Sequence, residues 1–179
     1  MTDYKMVFAG FGGQGILFAG KVAANAGLHD GKEVSWLPSY GPEMRGGTAN
    51  CSVCISDEPI GSPLVVRPNI LVAMNQPSYE KFIDKVAPGG LVVYDSTLIH
   101  ADAPRGDLTI IAIPATAMAE EQDLKGLANI IILGKVLEQT GFATMEGIKG
   151  GVEHAVPPKK QHLIAANLRA IELGQAFEA

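Results

Sequence analysis

The chain has 179 residues, of which 47% are hydrophobic and 18% are charged, and its formal net charge is −5. This length fits a single domain, residues 1–179, and the absence of a basic block argues against a nucleic acid partner. No apolar run approaches the roughly 20 residues of a membrane span, so we expect a cytoplasmic protein without a membrane partner. The charged fraction lies below the usual value of about 25%, which suggests that partner proteins cover much of the surface.

Short apolar runs alternate with longer segments of helical character along the chain. Strands are predicted at residues 4–9, 33–37, 49–55, 70–73, 91–94 and 109–113. Helices are predicted at residues 15–26, 77–86, 115–121, 128–140, 145–154 and 160–176. This alternation predicts an α/β fold, a single-domain, mostly parallel, Rossmann-like sheet with helices on both faces. The last two helices form a C-terminal helical tail that packs on the sheet or on another subunit.

A glycine-rich loop follows the first predicted strand and precedes the first predicted helix. Gly10, Gly12 and Gly15 occupy the offsets of a G-x-G-x-x-G motif, and Gly13 adds a fourth glycine. In a strand–loop–helix layout of this kind, main-chain N–H groups at the helix N-terminus bind a phosphate. The loop therefore predicts a phosphate-bearing ligand.

The sequence offers little support for NAD as that ligand. An NAD site needs an acidic side chain at the carboxyl end of the second strand to bind the ribose hydroxyls. Glu33 stands at the start of that strand, and residues 37–40 at its end contain no acid. Arg45 is the only nearby candidate for an NADP phosphate, so a phosphate-bearing ligand other than NAD is favoured.

A second loop, residues 38–48, is expected to open on the same edge of the sheet if the first two strands are parallel. It contains two prolines, three glycines, one acid and one base. Arg45 stands before Gly46 and Gly47 and is suited to bidentate binding of a phosphate, with Glu43 positioning it or accepting from a ligand hydroxyl. A surface loop with an exposed charge pair explains this composition about as well.

Taken together and in order, these motifs resemble one family. They are Gly-Phe-Gly-Gly-Gln-Gly at 10–15, Tyr-Gly-Pro-Glu-Met-Arg-Gly-Gly at 40–47, Cys-Ser-Val-Cys-Ile-Ser-Asp at 51–57, Ile-Gly-Ser-Pro at 60–63 and Pro-Asn-Ile-Leu-Val-Ala at 68–73. The chain resembles the gamma subunit of 2-oxoacid:ferredoxin oxidoreductases, the pyruvate and 2-oxoglutarate synthase family. The resemblance runs from about Tyr4 to the final helix.

The resemblance implies a non-catalytic subunit of an oxidoreductase complex. Alpha, beta and delta subunits would hold thiamine pyrophosphate, Mg²⁺ and [4Fe-4S] clusters. The complex would decarboxylate a 2-oxo acid, reduce ferredoxin and transfer the acyl group to coenzyme A, which is associated with the gamma domain. A short chain without a fused ferredoxin segment favours 2-oxoglutarate over pyruvate or branched-chain acids.

The resemblance also implies a set of ligand-contacting residues, and it implies no catalytic residue and no metal ligand on this chain. Asn129 also fits a helix-capping role, and Asn167 also fits a role in satisfying buried main-chain groups. The residues that match the family's positions fall in the phosphate loop, in the second loop and at two asparagines: Gly12, Gly13, Gln14, Gly15, Arg45, Gly46, Gly47, Asn129 and Asn167.

Other chemistry-bearing residues are better explained by structure. Cys51 and Cys54 lie three apart on a predicted strand and therefore point to opposite faces, which disfavours a shared metal ion. Asp95 follows a strand and suits either capping or a ligand contact, of which capping is favoured. Two alternatives to the gamma-subunit hypothesis stay open: a free-standing NAD(P)-dependent oxidoreductase, and an assembly scaffold whose glycine loop binds nothing.

Overall fold

The computed structural model of the protein describes residues 3–39, 48–101 and 105–178. Short 3₁₀ turns extend from Ile83 to Lys85 and from Pro158 to Leu163. The strands are β1 (Tyr4–Phe11), β2 (Glu33–Ser39), β3 (Thr48–Ser56), β4 (Ile70–Ala73), β5 (Leu91–Asp95) and β6 (Thr109–Ile113). The helices are α1 (Ile16–His29), α2 (Gln76–Phe82), α3 (Ala115–Glu121), α4 (Ala128–Thr140), α5 (Met145–Ala155) and α6 (Ile164–Ala176).

The six strands form one sheet in the order β2-β3-β1-β4-β5-β6. β1, β4, β5 and β6 are parallel neighbours, whereas β3 runs antiparallel to both β1 and β2. All the described strands except β3 therefore point the same way, which confirms a mostly parallel sheet. The connection at 40–47 is shorter than the dozen or so residues of a crossover, so β3 has to return antiparallel to β2.

Helices cover both faces of the sheet, as expected from the alternation of strands and helices. On β1, Met6 and Phe8 point into a large core that is shared with α1, α3, α4, α5 and α6. Val7 and Ala9 point to the opposite face, where a smaller core includes residues of α2. Because successive strand residues alternate between faces, the continuous apolar runs of the central strands fill both cores.

Small residues let α1 lie close to the sheet. A Cβ atom at Gly27 would lie 2.8 Å from Ile55 Cγ2, and one at Gly20 would lie 2.5 Å from Cys51 Sγ. A side chain at either position would therefore push α1 away from β3. This close approach is the packing role that glycine has in dinucleotide folds.

The two C-terminal helices pack on other helices. α5 packs mainly against α1, and α6 packs mainly against α4. The predicted helical tail is thus an integral part of the layer that covers one face of the sheet. The helix predicted from residue 160 begins as a 3₁₀ turn in which Lys160 is non-helical, and regular α-helix starts at Ile164.

Candidate functional site

The glycine loop lies at the carboxyl edge of the sheet, between the end of β1 and the start of α1. Gly10, which the motif placed in the loop, instead belongs to β1 and pairs with Ala49 of β3. The turn itself comprises residues 12–15, and within it Gly13 has φ +94° and Gly15 has φ +71°. Only glycine adopts such angles without strain, so the backbone geometry requires these two glycines.

Gln14 braces the loop through its side chain. Its Oε1 accepts a hydrogen bond from Phe11 N at 2.6 Å, and its Nε2 donates to the carbonyl of Met74 at 2.8 Å. Met74 directly follows β4, so Gln14 joins the ends of two neighbouring parallel strands. The side chain of Gln14 therefore has a structural role in the loop, and its contact with a ligand stays a prediction.

No side chain of the described residues caps the N-terminus of α1. Its N-cap residue is Gly15, and its first turn contains no acidic residue. α2 and α5, by contrast, are capped by Asn75 and Thr144, whose side chains accept from main-chain N–H groups. Within the described ranges no side chain occupies the N–H groups of this first turn as a cap, and these groups, with the partial positive charge of the helix dipole, favour an anion.

Asn129 lies against the glycine loop. Its Nδ2 donates to the carbonyl of Gly15 at 2.8 Å, and its Oδ1 is buried without a partner among the described residues. The N-cap of α4 is Leu127, so the alternative that Asn129 caps its helix is wrong. A Cβ at Gly15 would meet the Asn129 amide, so this contact is a second reason for glycine there.

The structure gives Asn167 a local hydrogen bond. Its Nδ2 donates to the carbonyl of Leu163 at 2.8 Å, which agrees with a role in satisfying main-chain groups. Its Oδ1 is buried and unpartnered within the described ranges, like that of Asn129.

α4 and α6 run in the same direction. Arg169 donates to Gln122 just ahead of α4, and Lys135 further along α4 donates to the carbonyl of Phe177. Because partner positions increase together along both helices, Asn167 near the start of α6 lies toward the same end of the pair as the start of α4. That end is the one that meets the glycine loop.

Arg45, Gly46 and Gly47, like the rest of segment 40–47, lie outside the described residues. The strands on either side of this segment are described, and Thr48 at the start of β3 pairs with Phe11 at the end of β1. β1 and β2 point the same way, so Ser39 at the end of β2 stands at the same edge as the glycine loop. The expectation that both strands end at one edge is therefore confirmed.

Two cavities flank the glycine loop. One, of about 290 Å³, extends along the start of α1 and is lined by Phe11, Gly12, Gly13, Gly15, Ile16, Leu17, Phe18 and Ala49. The other, of about 180 Å³, lies toward α3 and α4 and is lined by Gly13, Gln14, Met74, Thr116, Ala119, Glu120, Lys125, Gly126 and Ala128.

The second cavity contains residues that sequence reasoning missed. Thr116, Glu120 and Lys125 are remote from the loop in sequence, and the fold brings them beside Gly13. The one local signal was the Lys-Gly pair at 125–126, just before a predicted helix. Gly126 has φ +85°, a turn conformation that glycine favours.

Asp95 has a structural role at the end of β5. Its buried carboxylate accepts from Thr97 N at 3.0 Å and from Thr116 Oγ1 at 2.5 Å. It also accepts from Thr116 N at 3.2 Å, in the first turn of α3. The capping interpretation of Asp95 is thus confirmed.

Cys51 and Cys54 point to opposite faces, as the strand periodicity predicts. Cys51 Sγ approaches the carbonyl of Ile16, whereas Cys54 Sγ approaches that of Ser62. Burial raises the pKa of the Cys51 thiol to about 12, so this thiol stays protonated at neutral pH. Across the described part of the chain, no group of three or more His, Cys, Asp or Glu side chains is arranged to hold a metal ion.

Glu33 is far from the glycine loop. It starts β2 and pairs with Ser56 at the end of β3, which places it at the opposite edge of the sheet. β3 also separates β2 from β1, unlike the strand order of a dinucleotide-binding half. Among the helices of residues 3–39, 48–101 and 105–178, none is long and apolar enough to cross a membrane.

The sequence matches the family model for pyruvate ferredoxin/flavodoxin oxidoreductase over residues 5–177. It is 40% identical over 174 residues to the ketoisovalerate oxidoreductase subunit VorA of Methanothermobacter thermautotrophicus. That alignment covers 96% of this chain and 36% of the relative. The chain therefore spans about a third of the length of that relative.

Two solved structures are similar over nearly the whole chain. One is the gamma subunit of a keto/oxoacid ferredoxin oxidoreductase from Geobacter sulfurreducens, with a TM-score of 0.82, 30% identity and 96% coverage of both chains. The other is the 2-oxoglutarate:ferredoxin oxidoreductase from Magnetococcus marinus with 2-oxoglutarate, coenzyme A and succinyl-CoA bound. It has a TM-score of 0.87 and 27% identity, over 98% of this chain and 31% of that one.

Proposed function

The chain belongs to the pyruvate ferredoxin/flavodoxin oxidoreductase family, and we propose that it is the gamma subunit of a thiamine-pyrophosphate-dependent 2-oxoacid:ferredoxin oxidoreductase complex. The complex converts a 2-oxo acid, coenzyme A and oxidised ferredoxin into acyl-CoA, CO₂ and reduced ferredoxin. Alpha, beta and delta subunits hold thiamine pyrophosphate, Mg²⁺ and the [4Fe-4S] clusters. The gamma chain contributes binding and no chemistry of its own.

The ligand of the glycine loop, in this proposal, is coenzyme A. The observation that carries it is the turn at residues 12–15, which leads into a helix with no side-chain cap and no acid in its first turn. Gly12, Gly13 and Gly15 have no Cβ, so a phosphate can approach the main-chain N–H groups. Coenzyme A presents a pyrophosphate and a 3′-phosphate to such a loop.

The remaining predicted ligand residues complete this site. Arg45, followed by Gly46 and Gly47, supplies a guanidinium from the second loop. The buried Oδ1 atoms of Asn129 and Asn167, which have no hydrogen-bond partner in the described ranges, favour a ligand that offers hydrogen-bond donors. The pantetheine arm of coenzyme A has two amide N–H groups and a hydroxyl of this kind.

The 2-oxo acid is proposed from a short set of candidates. We place 2-oxoglutarate first, since the Magnetococcus marinus enzyme carries that name and binds succinyl-CoA. Branched-chain 2-oxo acids are the second candidate, because the Methanothermobacter relative is a ketoisovalerate oxidoreductase subunit. Pyruvate completes the panel.

The test is calorimetric titration of coenzyme A into the complex purified through this chain from its native host. We expect binding by the wild type and a loss of roughly ten- to a hundredfold in affinity for Arg45→Ala, because a charged phosphate contact is removed. Arg67→Ala is the matched control, since exposed Arg67 precedes β4 at the edge remote from the glycine loop. The same preparation should reduce ferredoxin with one acid of the panel, and only when coenzyme A is present.

Two results would contradict the proposal. A purified lone chain that binds NAD(H) and catalyses hydride transfer would establish the free-standing oxidoreductase. An active complex in which the wild type and Arg45→Ala bind coenzyme A with equal affinity would favour the scaffold.

A further inference from the structure

A cation lies beside the glycine loop in a place that the family motifs do not mark. Lys125 lines the cavity of about 180 Å³ together with Gly13 and Gln14. Of the described residues that line the two cavities flanking the loop, Lys125 alone has a cationic side chain. A positive charge held next to uncapped helix N–H groups strengthens the preference of the site for an anion.

The charge of Lys125 is not neutralised within the described part of the protein. Its side chain is exposed, and it forms no ion pair or hydrogen bond with any residue in the described ranges. Lys32 and Lys135, by contrast, form ion pairs with Asp57 and Glu138. Lys125 is therefore available to a ligand without first breaking an internal contact.

The start of α4 borders the same cavity and contributes no acidic side chain to it. Its N-cap residue Leu127 gives no side-chain cap, and its first turn contains no acid. Ala128, the first residue of this 13-residue helix, lines the cavity. The first turn of α1 lines the neighbouring cavity, so an anion held between Gly13 and Lys125 lies next to the start of α4.

We propose that Lys125 binds a phosphate group of coenzyme A that enters the cavity between Gly13 and the 125–128 turn. This inference rests on the proposed function, in which the glycine loop binds the same molecule. The cavity is large enough for one phosphate and too small for the adenine nucleotide as a whole. Glu120, on the same lining, carries a negative charge that weakens the binding of an anion there.

The test compares single-charge variants of the purified complex by titration with coenzyme A and with dephospho-coenzyme A, which lacks the 3′-phosphate. Lys125→Met should weaken coenzyme A binding by about tenfold or more, and added salt should shrink the effect. Glu120→Gln should tighten binding by about twofold, because a nearby like charge is removed. Lys149→Met is the control, since exposed Lys149 on α5 lines neither cavity.

The two ligands identify which phosphate Lys125 contacts. A loss confined to coenzyme A assigns the 3′-phosphate, and an equal loss with both ligands assigns the pyrophosphate. If the wild-type complex binds coenzyme A and Lys125→Met changes the affinity no more than Lys149→Met does, the role of Lys125 is wrong and the coenzyme A assignment is unaffected. A wild-type complex that binds neither ligand would overturn the coenzyme A assignment, and the role of Lys125 with it.

Discussion

Gly13 and Gly15 are both required by the loop, but for different physical reasons. Each has a positive φ, which costs an alanine about 1–2 kcal/mol. Gly13 has open space where a Cβ would stand, whereas at Gly15 that space is taken by the side-chain amide of Asn129. The Asn129 hydrogen bond to the Gly15 carbonyl therefore depends on glycine at this position.

Gly15→Ala should consequently destabilise the protein more than Gly13→Ala. We expect Gly13→Ala to lower the free energy of unfolding by about 1–2 kcal/mol, and Gly15→Ala to lower it by at least about 1 kcal/mol more, because Asn129 has to move. Urea denaturation of the two variants measures the difference.

The double variant Gly15→Ala/Asn129→Ala separates the two costs. If the clash with Asn129 is the second cost, the effect of Gly15→Ala should shrink in the Asn129→Ala background to about that of Gly13→Ala. Equal losses for Gly13→Ala and Gly15→Ala in the wild-type background would contradict the packing argument.

At this scale the sequence predicted which residues form the loop better than what each side chain does. The glycine pattern sufficed for Gly13 and Gly15, since positive φ is a local property. The ligand contact predicted for Gln14 stays a prediction, and the sequence did not indicate that its side chain also braces β1 to the end of β4, a contact 60 residues away in the chain. Lys125 was missed, because the Lys-Gly pair at 125–126 is a weak local signal and only the fold brings Lys125 beside the loop.

Among the elements, α4 and α6 depend on a close crossing of their backbones. A Cβ at Gly134 would meet the main chain of Ile171, and one at Gly174 would meet the main chain of Ile131. Backbone atoms cannot move aside as a flexible side chain does, so any larger residue at the crossing has to separate the helices. The same helix α4 carries Asn129 near its start, where the Asn129 side chain contacts the glycine loop.

Gly134→Ala should therefore destabilise the protein although alanine favours helix formation. Helix propensity alone would stabilise the variant by up to about 1 kcal/mol, whereas separating the helices costs about 1–3 kcal/mol. We expect a net loss in thermal denaturation and weaker coenzyme A binding. Gly61→Ala is the control, since its Cβ would stand in open space, and a stabilised Gly134→Ala would contradict the close crossing.

The elements that were predicted best are those whose bounds depend on the local sequence. The bounds of α4, β4 and β6 agree with the prediction, because continuous apolar runs end at clear turn residues. The direction of β3 was not predicted, since strand direction depends on the length and path of the connection. The packing of α5 on α1 was also left open, because its amphipathic face does not specify a partner.

For the molecule as a whole, the two edges of the sheet differ in what they offer. The glycine loop, the starts of α1 and α4, and Lys125 lie at the carboxyl edge. The opposite edge contains a larger cavity of about 600 Å³, under the segment from Glu58 to Arg67, with no glycine loop or uncapped helix start in its lining. Cavity size alone would select that edge, and its lining holds Lys5 and Arg67 as well as Asp3 and Glu58. The glycine loop and the helix starts beside it supply main-chain donors for a phosphate, and these favour the carboxyl edge.

Hydrogen exchange on the purified complex tests this choice across the whole chain. Some amides exchange only when the site opens and the ligand is released. At a coenzyme A concentration about a hundred times its Kd, the exchange rate of these amides should fall by up to about a hundredfold. We expect this protection at residues 12–18 and 125–129, because both segments line the proposed site. Residues 58–67 report the opposite edge and should not change, so protection there without protection at 12–18 would place the ligand in the larger cavity.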